Sequence, residues 1–175
     1  MAIELERTFL AKYIPENLEQ CKRKEILDIY IPTESRHPKL RIRKNGNRFE
    51  ITKKEPLEND PSEMKEETTT LTKEEFDELN NKLVGKRVRK IRYYYPHNGL
   101  TAEFDVFQDA LSGLIVVDFE FNSVEEKNAF QMPEFCLVDI TQEEFIAGGM
   151  VCGKSYSDIE DNLIVLDYKK IITQN

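Results

Sequence analysis

The sequence predicts an α+β fold in which an antiparallel β-sheet is large enough to close on itself and carries a few helices outside. Seven segments alternate between apolar and polar residues with a period of two, which is typical of strands with one buried face. Three further segments begin with the sequences TKEE, SVEE and TQEE, which are typical of capped helices. No repeat or Pro/Gly-rich linker divides the chain, so we expect one domain over residues 1–175.

The predicted strands follow one another along most of the chain. They are Ile3–Leu10, Glu25–Ile31, Lys39–Arg43, Arg48–Lys53, Val88–Tyr95, Leu100–Phe107 and Leu114–Asn122, with a weaker candidate over Glu66–Leu71. Asn45-Gly46 joins the third of these strands to the fourth and is the strongest hairpin signal in the sequence. The stretch from Lys54 to Lys65 is rich in proline and acidic residues, and we interpret it as a surface loop.

Each predicted helix begins at a Ser or Thr that acidic residues follow. The three segments are Thr72–Leu83, Ser123–Phe130 and Thr141–Ala147. In the first, Phe76, Leu79 and Leu83 form one apolar stripe that would pack on the sheet. The third is followed by Gly148-Gly149, which favours the end of a helix at that point.

The composition limits the partners and the compartment that we expect. Lys and Arg number 25 and Asp and Glu 33, so the net charge of −8 argues against broad nucleic-acid binding, although it allows a local basic pocket. The 3 cysteines show no CxxC spacing, which is typical of a reducing compartment. The first ten residues contain two glutamates, and no apolar run is long enough for a membrane helix. We therefore expect a cytoplasmic protein with no nucleic-acid or membrane partner.

Like charges recur two residues apart on the predicted strands, and the opposite face of each strand is apolar. The pairs are Glu4/Glu6, Arg41/Arg43, Lys90/Arg92, Glu103/Asp105 and Asp118/Glu120. Such a pair is unfavourable unless a nearby group neutralises it. Acidic and basic pairs that share one interior would neutralise each other. They would also suit a polyanion with its metal, because arginine binds phosphate oxygens and Mg²⁺ prefers oxygen ligands.

The same alternation also describes an ordinary antiparallel sheet with one face in water. Two features favour an enclosed charged interior instead. The charges occur on at least five predicted strands, and their signs come in pairs.

Several segments resemble the CYTH, or triphosphate tunnel, family in a shared order along roughly residues 1–160. IELERTFL resembles the opening E-x-E-x-K strand of that family, and LRIRKNGNRFEITKK its L-R-I-R, hairpin and T-x-K segment. KIRYYY is similar to the K-x-R-Y strand, and TAEFDVFQDALSGLIVVDFEF to the two acidic strands. GKSYS resembles the closing G-x-x-Y element. Several motifs in one order are more specific than any single motif.

The resemblance implies an eight-stranded tunnel that hydrolyses or cyclises triphosphates with Mg²⁺ or Mn²⁺. The implied metal ligands are Glu4, Glu6, Glu103, Asp105, Asp118 and Glu120. The implied phosphate-binding residues are Arg41, Arg43, Lys53, Lys90, Arg92 and Lys154. The implied catalytic residues are Glu4, Glu6 and Lys53, and Glu66 corresponds to a further inward glutamate.

One position departs from the family pattern. The lysine of E-x-E-x-K is replaced by Thr8, which removes one expected phosphate contact. Arg7 does not replace it, because neighbouring residues of a strand face opposite ways.

The expected activity is metal-dependent hydrolysis of tripolyphosphate or of an organic or nucleoside triphosphate, by a monomer or a homodimer. An adenylyl cyclase that makes cyclic AMP from ATP is one alternative, although no residue identifies an adenine pocket. A phosphoanion-binding module with little turnover is the other, and Thr8 motivates it.

Overall fold

A closed antiparallel barrel of eight strands dominates the part of the chain that the structure describes. The structure is a computed structural model, and it describes residues 2–58, 60–83 and 86–173. The barrel strands are β1 (Ala2–Ala11), β2 (Arg23–Ile31), β3 (Leu40–Asn45), β4 (Arg48–Leu57), β5 (Asp60–Leu71), β6 (Arg87–His97), β7 (Leu100–Phe107) and β8 (Ile115–Phe121). Their order is β5-β4-β3-β2-β6-β7-β8-β1, and pairing of β1 with β5 closes the barrel. The predicted fold class is confirmed.

The turn between β3 and β4 shows how local sequence sets the register. Asn45 pairs with Arg48, and Gly46 lies in the left-handed region with φ +60°. Glycine adopts that conformation without a steric penalty, so the predicted tight hairpin forms, with Gly46-Asn47 as its two-residue turn and Asn45 as the last residue of β3.

The predicted loop between Lys54 and Lys65 is wrong. β4 continues to Leu57 and β5 begins at Asp60, so most of this stretch is a pair of strands. Cross-strand pairs of opposite charge, such as Lys54 with Glu66, stabilise the pairing of β4 with β5. The proline that resembled a loop signal, Pro56, lies beside a shift in register, where a missing N–H is tolerated.

The apolar faces of the barrel strands point outward and are covered by other segments. Helix α1 (Lys73–Lys82) places Phe76 against the buried Ile29 and Ile42. A second outer cluster is aromatic and includes Phe9, Phe104, Phe119 and Phe135. Because burial of these side chains stabilises the outside of the barrel, the inner faces are left for polar residues.

The first two predicted helices are confirmed, and the third is wrong. Thr72 caps α1 in a capping box with Glu75, and Ser123 caps α2 (Val124–Ala129). The stretch from Thr141 holds only a 3₁₀ turn at Glu144–Ile146, and α3 (Gly148–Val151) begins where a helix end was expected. The Thr141 hydroxyl caps no helix, because it donates to Asp139 (2.5 Å) and accepts from the Thr8 amide (3.0 Å).

The chain after β8 contains two further elements that the sequence did not predict. Strand β9 (Cys136–Asp139) pairs with the end of β1, and helix α4 spans Glu160–Val165. In residues 2–58, 60–83 and 86–173, no helix is long and apolar enough to cross a membrane.

We predict that Phe76→Ala destabilises the fold by about 3–5 kcal/mol, because it removes a buried ring that packs on the barrel. The Phe76 and Phe49 ring centroids lie 5.1 Å apart, and Phe76 is 2% exposed. Urea denaturation measures the free energy of unfolding. The exposed substitution Glu78→Ala on the same helix is the control and should cost less than about 1 kcal/mol. Equal losses in both variants would show that α1 does not anchor the barrel.

Candidate functional site

The inner faces of the eight strands surround a charged cavity of about 600 Å³. Ten of the twelve residues predicted for the site line it. They are Glu4, Glu6, Arg41, Arg43, Lys90, Arg92, Glu103, Asp105, Asp118 and Glu120. The barrel therefore brings together like-charged pairs from five strands that are distant in sequence.

Arg92 is the centre of the largest ion-pair network in the cavity. Its Nε and Nη2 donate to the two oxygens of Asp105, each at 2.7 Å, and it also pairs with Glu103 and, at 3.3 Å, with Asp118. Lys90 also pairs with Asp105, at the Oδ2 atom to which Arg92 Nη2 donates. Burial raises the pKa of Asp105, but Arg92 and Lys90 outweigh that effect and lower it to about 2. Asp105 therefore stays ionised although it is 1% exposed.

Lys53 does not line the cavity, which corrects its predicted position. Its side chain is 52% exposed and pairs with Glu55 at 3.4 Å on the outer face. Phe49 and Ile51 share that face and pack with α1. Two apolar residues in alternation with Lys53 are the signal that identifies its face as the outer one.

Lys54 is the inward lysine of β4. It pairs with Glu4, and its Nζ donates to Glu6 at 2.8 Å. Burial raises the pKa of Glu4, but Lys54 reverses the shift and holds it below 4.5. Burial also raises the pKa of Glu6, and there the charges of Asp118 and Glu4 keep it raised despite Lys54.

Lys154 also lies away from the cavity. It follows α3 in a turn, where its backbone N–H donates to the Val151 carbonyl at 3.0 Å. The chain beyond β9 forms short helices and turns, so the strand alternation that places the other charges does not extend to Lys154.

Asp28 is an interior acid that sequence reasoning missed. It is 1% exposed and accepts two hydrogen bonds from Arg43, at 2.6 and 2.7 Å. Burial raises the pKa of Asp28, but Arg43 and Arg41 lower it well below its usual range. Asp28 has no like-charged residue two positions away, because Ile26 and Tyr30 flank it on its face of the strand, so the search for like-charged pairs passed over it. Its alternation with Ile29 could have placed it inside.

Arg41 differs from the other cations of the cavity. Among the described residues it forms no ion pair with a carboxylate, and its buried Nε has no hydrogen-bond partner. Its Nη1 donates to the Tyr30 hydroxyl at 3.4 Å. A buried donor without a partner is costly, and an anionic ligand at Arg41 would supply the missing acceptor.

On β1 and β8 the charge imbalance has the opposite sign. Glu6 and Glu120 lie directly opposite each other in the ladder between these strands. Burial, together with the charges of Glu4 and Glu103, raises the pKa of Glu120 to about 7. Carboxylates held this close favour a cation between them.

The donor set fits a hard divalent cation. In the described ranges no three Asp, Glu, His or Cys side chains are arranged as a complete metal site. Lys54 forms ion pairs with both Glu4 and Glu6. Mg²⁺ commonly takes one or two carboxylates, with substrate phosphates and water as its other ligands. Carboxylates from β1 and β8 provide that partial set.

Thr8 occupies the position of the expected lysine and points into the cavity. Its hydroxyl donates to Asp118 at 2.8 Å. Arg7 faces outward and pairs with Asp139, so it supplies no charge to the interior. The hydroxyl preserves a contact with the carboxylate but adds no positive charge.

Comparison with known proteins agrees with this geometry. The sequence model of the CYTH domain matches residues 2–132, three-quarters of the chain. This chain belongs to the CYTH domain family. An inorganic triphosphatase of Nitrosomonas europaea is 28% identical over 144 residues, which are 81% of this chain and 91% of that protein.

Two solved structures share the CYTH fold with this chain. The crystal structure of an inorganic triphosphatase superimposes with a TM-score of 0.63 at 25% identity, over 87% of this chain and 95% of the other. A protein from Pyrococcus horikoshii gives a TM-score of 0.52 at 21% identity, over 95% and 92%, which shows the fold alone. The CYTH match includes all eight barrel strands and stops before β9. The stretch from Ile140 to Gly149, which also lines the cavity, is therefore outside the match.

We predict that Glu120 makes the metal-free CYTH protein less stable as the pH rises. Its pKa is 4.5 for an ordinary glutamate and about 7 in the fold. Between these values the native state keeps a proton that the unfolded chain loses, so the free energy of unfolding falls with rising pH. Glu120→Gln removes this contribution. Urea denaturation at pH 5 and pH 8 in EDTA should show a smaller loss for the variant, and parallel pH curves would contradict the prediction.

Proposed function

We propose that this protein hydrolyses a triphosphate in the barrel cavity, in a reaction that requires Mg²⁺ or Mn²⁺. The observation that carries the proposal is a cavity in which Arg41 pairs with no described carboxylate and lies beside acids that repel one another. An anion would satisfy the unused donor of Arg41, and a cation would offset the repulsion between Glu4 and Glu120. A polyphosphate with its divalent ion supplies both. The relationship to inorganic triphosphatases supports tripolyphosphate as the first substrate to test.

The basic residues would bind the phosphate chain unequally. Arg43 is already paired with Asp28, and Arg92 with Asp105 and Glu103. A phosphate that reaches either arginine must share its donors with these acids. Arg41 offers donors that no described acid uses, so it is expected to contribute most to affinity.

The acids divide into two roles according to their partners. Glu4 and Glu120 would hold the metal, with Glu6 and Asp118 close by. When bound, the metal would offset phosphate charge and lower the pKa of a coordinated water. Glu103 and Asp105 are engaged by Arg92 and Lys90, which favours a role in fixing those cations.

Two neighbouring glutamates are suited to different parts of the reaction. Glu4, whose pKa is lowered, stays ionised at neutral pH. Glu6, whose pKa is raised by burial and by the charges of Asp118 and Glu4, can accept a proton from the attacking water. The water oxygen forms a bond to the terminal phosphorus, while the bond to the bridging oxygen breaks and diphosphate leaves with its electron pair. Arg41 would stabilise the charge on the phosphoryl oxygens in the transition state.

The first test is release of phosphate from tripolyphosphate. With Mg²⁺ or Mn²⁺ the purified protein should release phosphate, and excess EDTA should stop the release, because the acids alone cannot offset phosphate charge. A colorimetric phosphate assay measures the product. ATP should yield phosphate and no cyclic AMP, whereas cyclic AMP would favour the cyclase alternative. Tight binding without any release would instead support the binding-module alternative and overturn hydrolysis.

The second test compares an inward cation with an outward one on neighbouring strands. Arg41→Ala should lower kcat/KM for tripolyphosphate about 10- to 100-fold, because it removes charge-assisted hydrogen bonds to phosphate. Lys53→Ala is the control and should leave kcat/KM unchanged, since its side chain lies on the outer surface. Equal losses in the two variants would contradict the assignment of Arg41.

A further inference from the structure

Tyr30 lies at the end of β2, where its ring packs in the apolar cluster that also holds Val88 and Val151. It is 5% exposed, and it lines the charged cavity. Its hydroxyl oxygen accepts the hydrogen bond from Arg41 Nη1 at 3.4 Å. Within the described part of the chain, neither the Tyr30 hydroxyl nor the Arg41 guanidinium forms another hydrogen bond. Tyr30 is therefore the contact that fixes the direction of the Arg41 guanidinium.

Gly148 leaves the space that Tyr30 occupies. A Cβ atom at Gly148 would lie 2.1 Å from the Tyr30 hydroxyl oxygen and 3.1 Å from the ring carbon that bears it. The φ of Gly148 is outside the left-handed region, so backbone conformation does not explain the glycine. The close approach of the tyrosine does. Gly148 is the first helical residue of α3, and it lies beyond the part of the chain that matches the CYTH domain.

An arginine without a fixed partner loses side-chain freedom when it binds a ligand, and this loss weakens binding. Since no described carboxylate holds Arg41, the tyrosine is its available support. We infer that Tyr30, packed under Gly148, is a positioning residue that holds Arg41 toward the phosphate chain and thereby sets affinity for the triphosphate. This inference rests on the proposed function.

The Tyr30 hydroxyl also has a proton to donate. A tyrosine hydroxyl is protonated at neutral pH, and burial raises the pKa of Tyr30 further. Its oxygen accepts from Arg41, and no acceptor for its own proton occurs among the described side chains. A phosphate oxygen bound by Arg41 would be a suitable acceptor, so the pair would bind the ligand as a unit.

Tyr30→Phe tests the inference with a minimal change in shape. We expect KM for tripolyphosphate to rise about threefold to tenfold with kcat within about twofold, because one hydrogen bond and the support of Arg41 are lost. Tyr168→Phe is the matched control. Its hydroxyl is also buried, but it donates to the Gly113 carbonyl at 2.9 Å, away from the cavity. The control should lower thermal stability and leave KM unchanged.

A double-mutant cycle separates positioning from a general loss of structure. In an Arg41→Ala background, Tyr30→Phe should raise KM by less than about twofold, because the residue that it positions is gone. Gly148→Ala, which displaces Tyr30 by contact, should raise KM as Tyr30→Phe does. Equal KM in the wild type and Tyr30→Phe, or full additivity with Arg41→Ala, would overturn the inference. If the wild type itself releases no phosphate, the proposed function fails instead, and binding of tripolyphosphate measured by calorimetry then decides on Tyr30 separately.

Discussion

The structure depends on the balance of charges that point into a closed barrel. A charged side chain loses its hydration there, so it must find an opposite charge or a ligand. Arg92 satisfies three acids from β7 and β8, and Lys54 satisfies two from β1. In the part of the chain that the structure describes, the charges are unbalanced at Arg41 on one wall and at the carboxylates around Glu120 on another. The pairs that are complete hold the strands together, and the pairs that are incomplete define where a ligand belongs.

The environment gives neighbouring glutamates different properties. Glu4 and Glu120 are the same residue type on adjacent strands, yet the pKa of the first is lowered and that of the second is raised. Lys54 contacts Glu4, whereas no lysine or arginine of the described residues forms an ion pair with Glu120, which burial and the charges of Glu4 and Glu103 affect instead. Sites that divide acid–base work between two carboxyl groups are often built in this way. Here the residue that separates them comes from β4, on the far side of β5.

Much of the fold and most of the site could be predicted from the sequence, because period-two alternation places side chains on faces and the capping residues mark helices. The inward position of the like-charged pairs follows from that rule. The rule was not applied at Lys53, which shares a face with Phe49 and Ile51, and the T-x-K motif read from Thr52 also ends at Lys54. It was set aside where Pro56 resembled a loop signal inside a hairpin. Asp28 lacked a like-charged neighbour. The contact of Tyr30 with Gly148 joins positions 118 residues apart, and no local pattern reports such a contact.

The apolar packing of this barrel lies on its outer side, under α1 and the aromatic cluster, while the chemistry lies within. The residues that stabilise the fold and the residues of the candidate site therefore lie on opposite faces of the same strands. An inward residue such as Thr8 can be exchanged without opening a void in the hydrophobic layer. Substitutions of inward residues can therefore change ligand specificity one position at a time, while the outer apolar packing that stabilises the barrel stays the same.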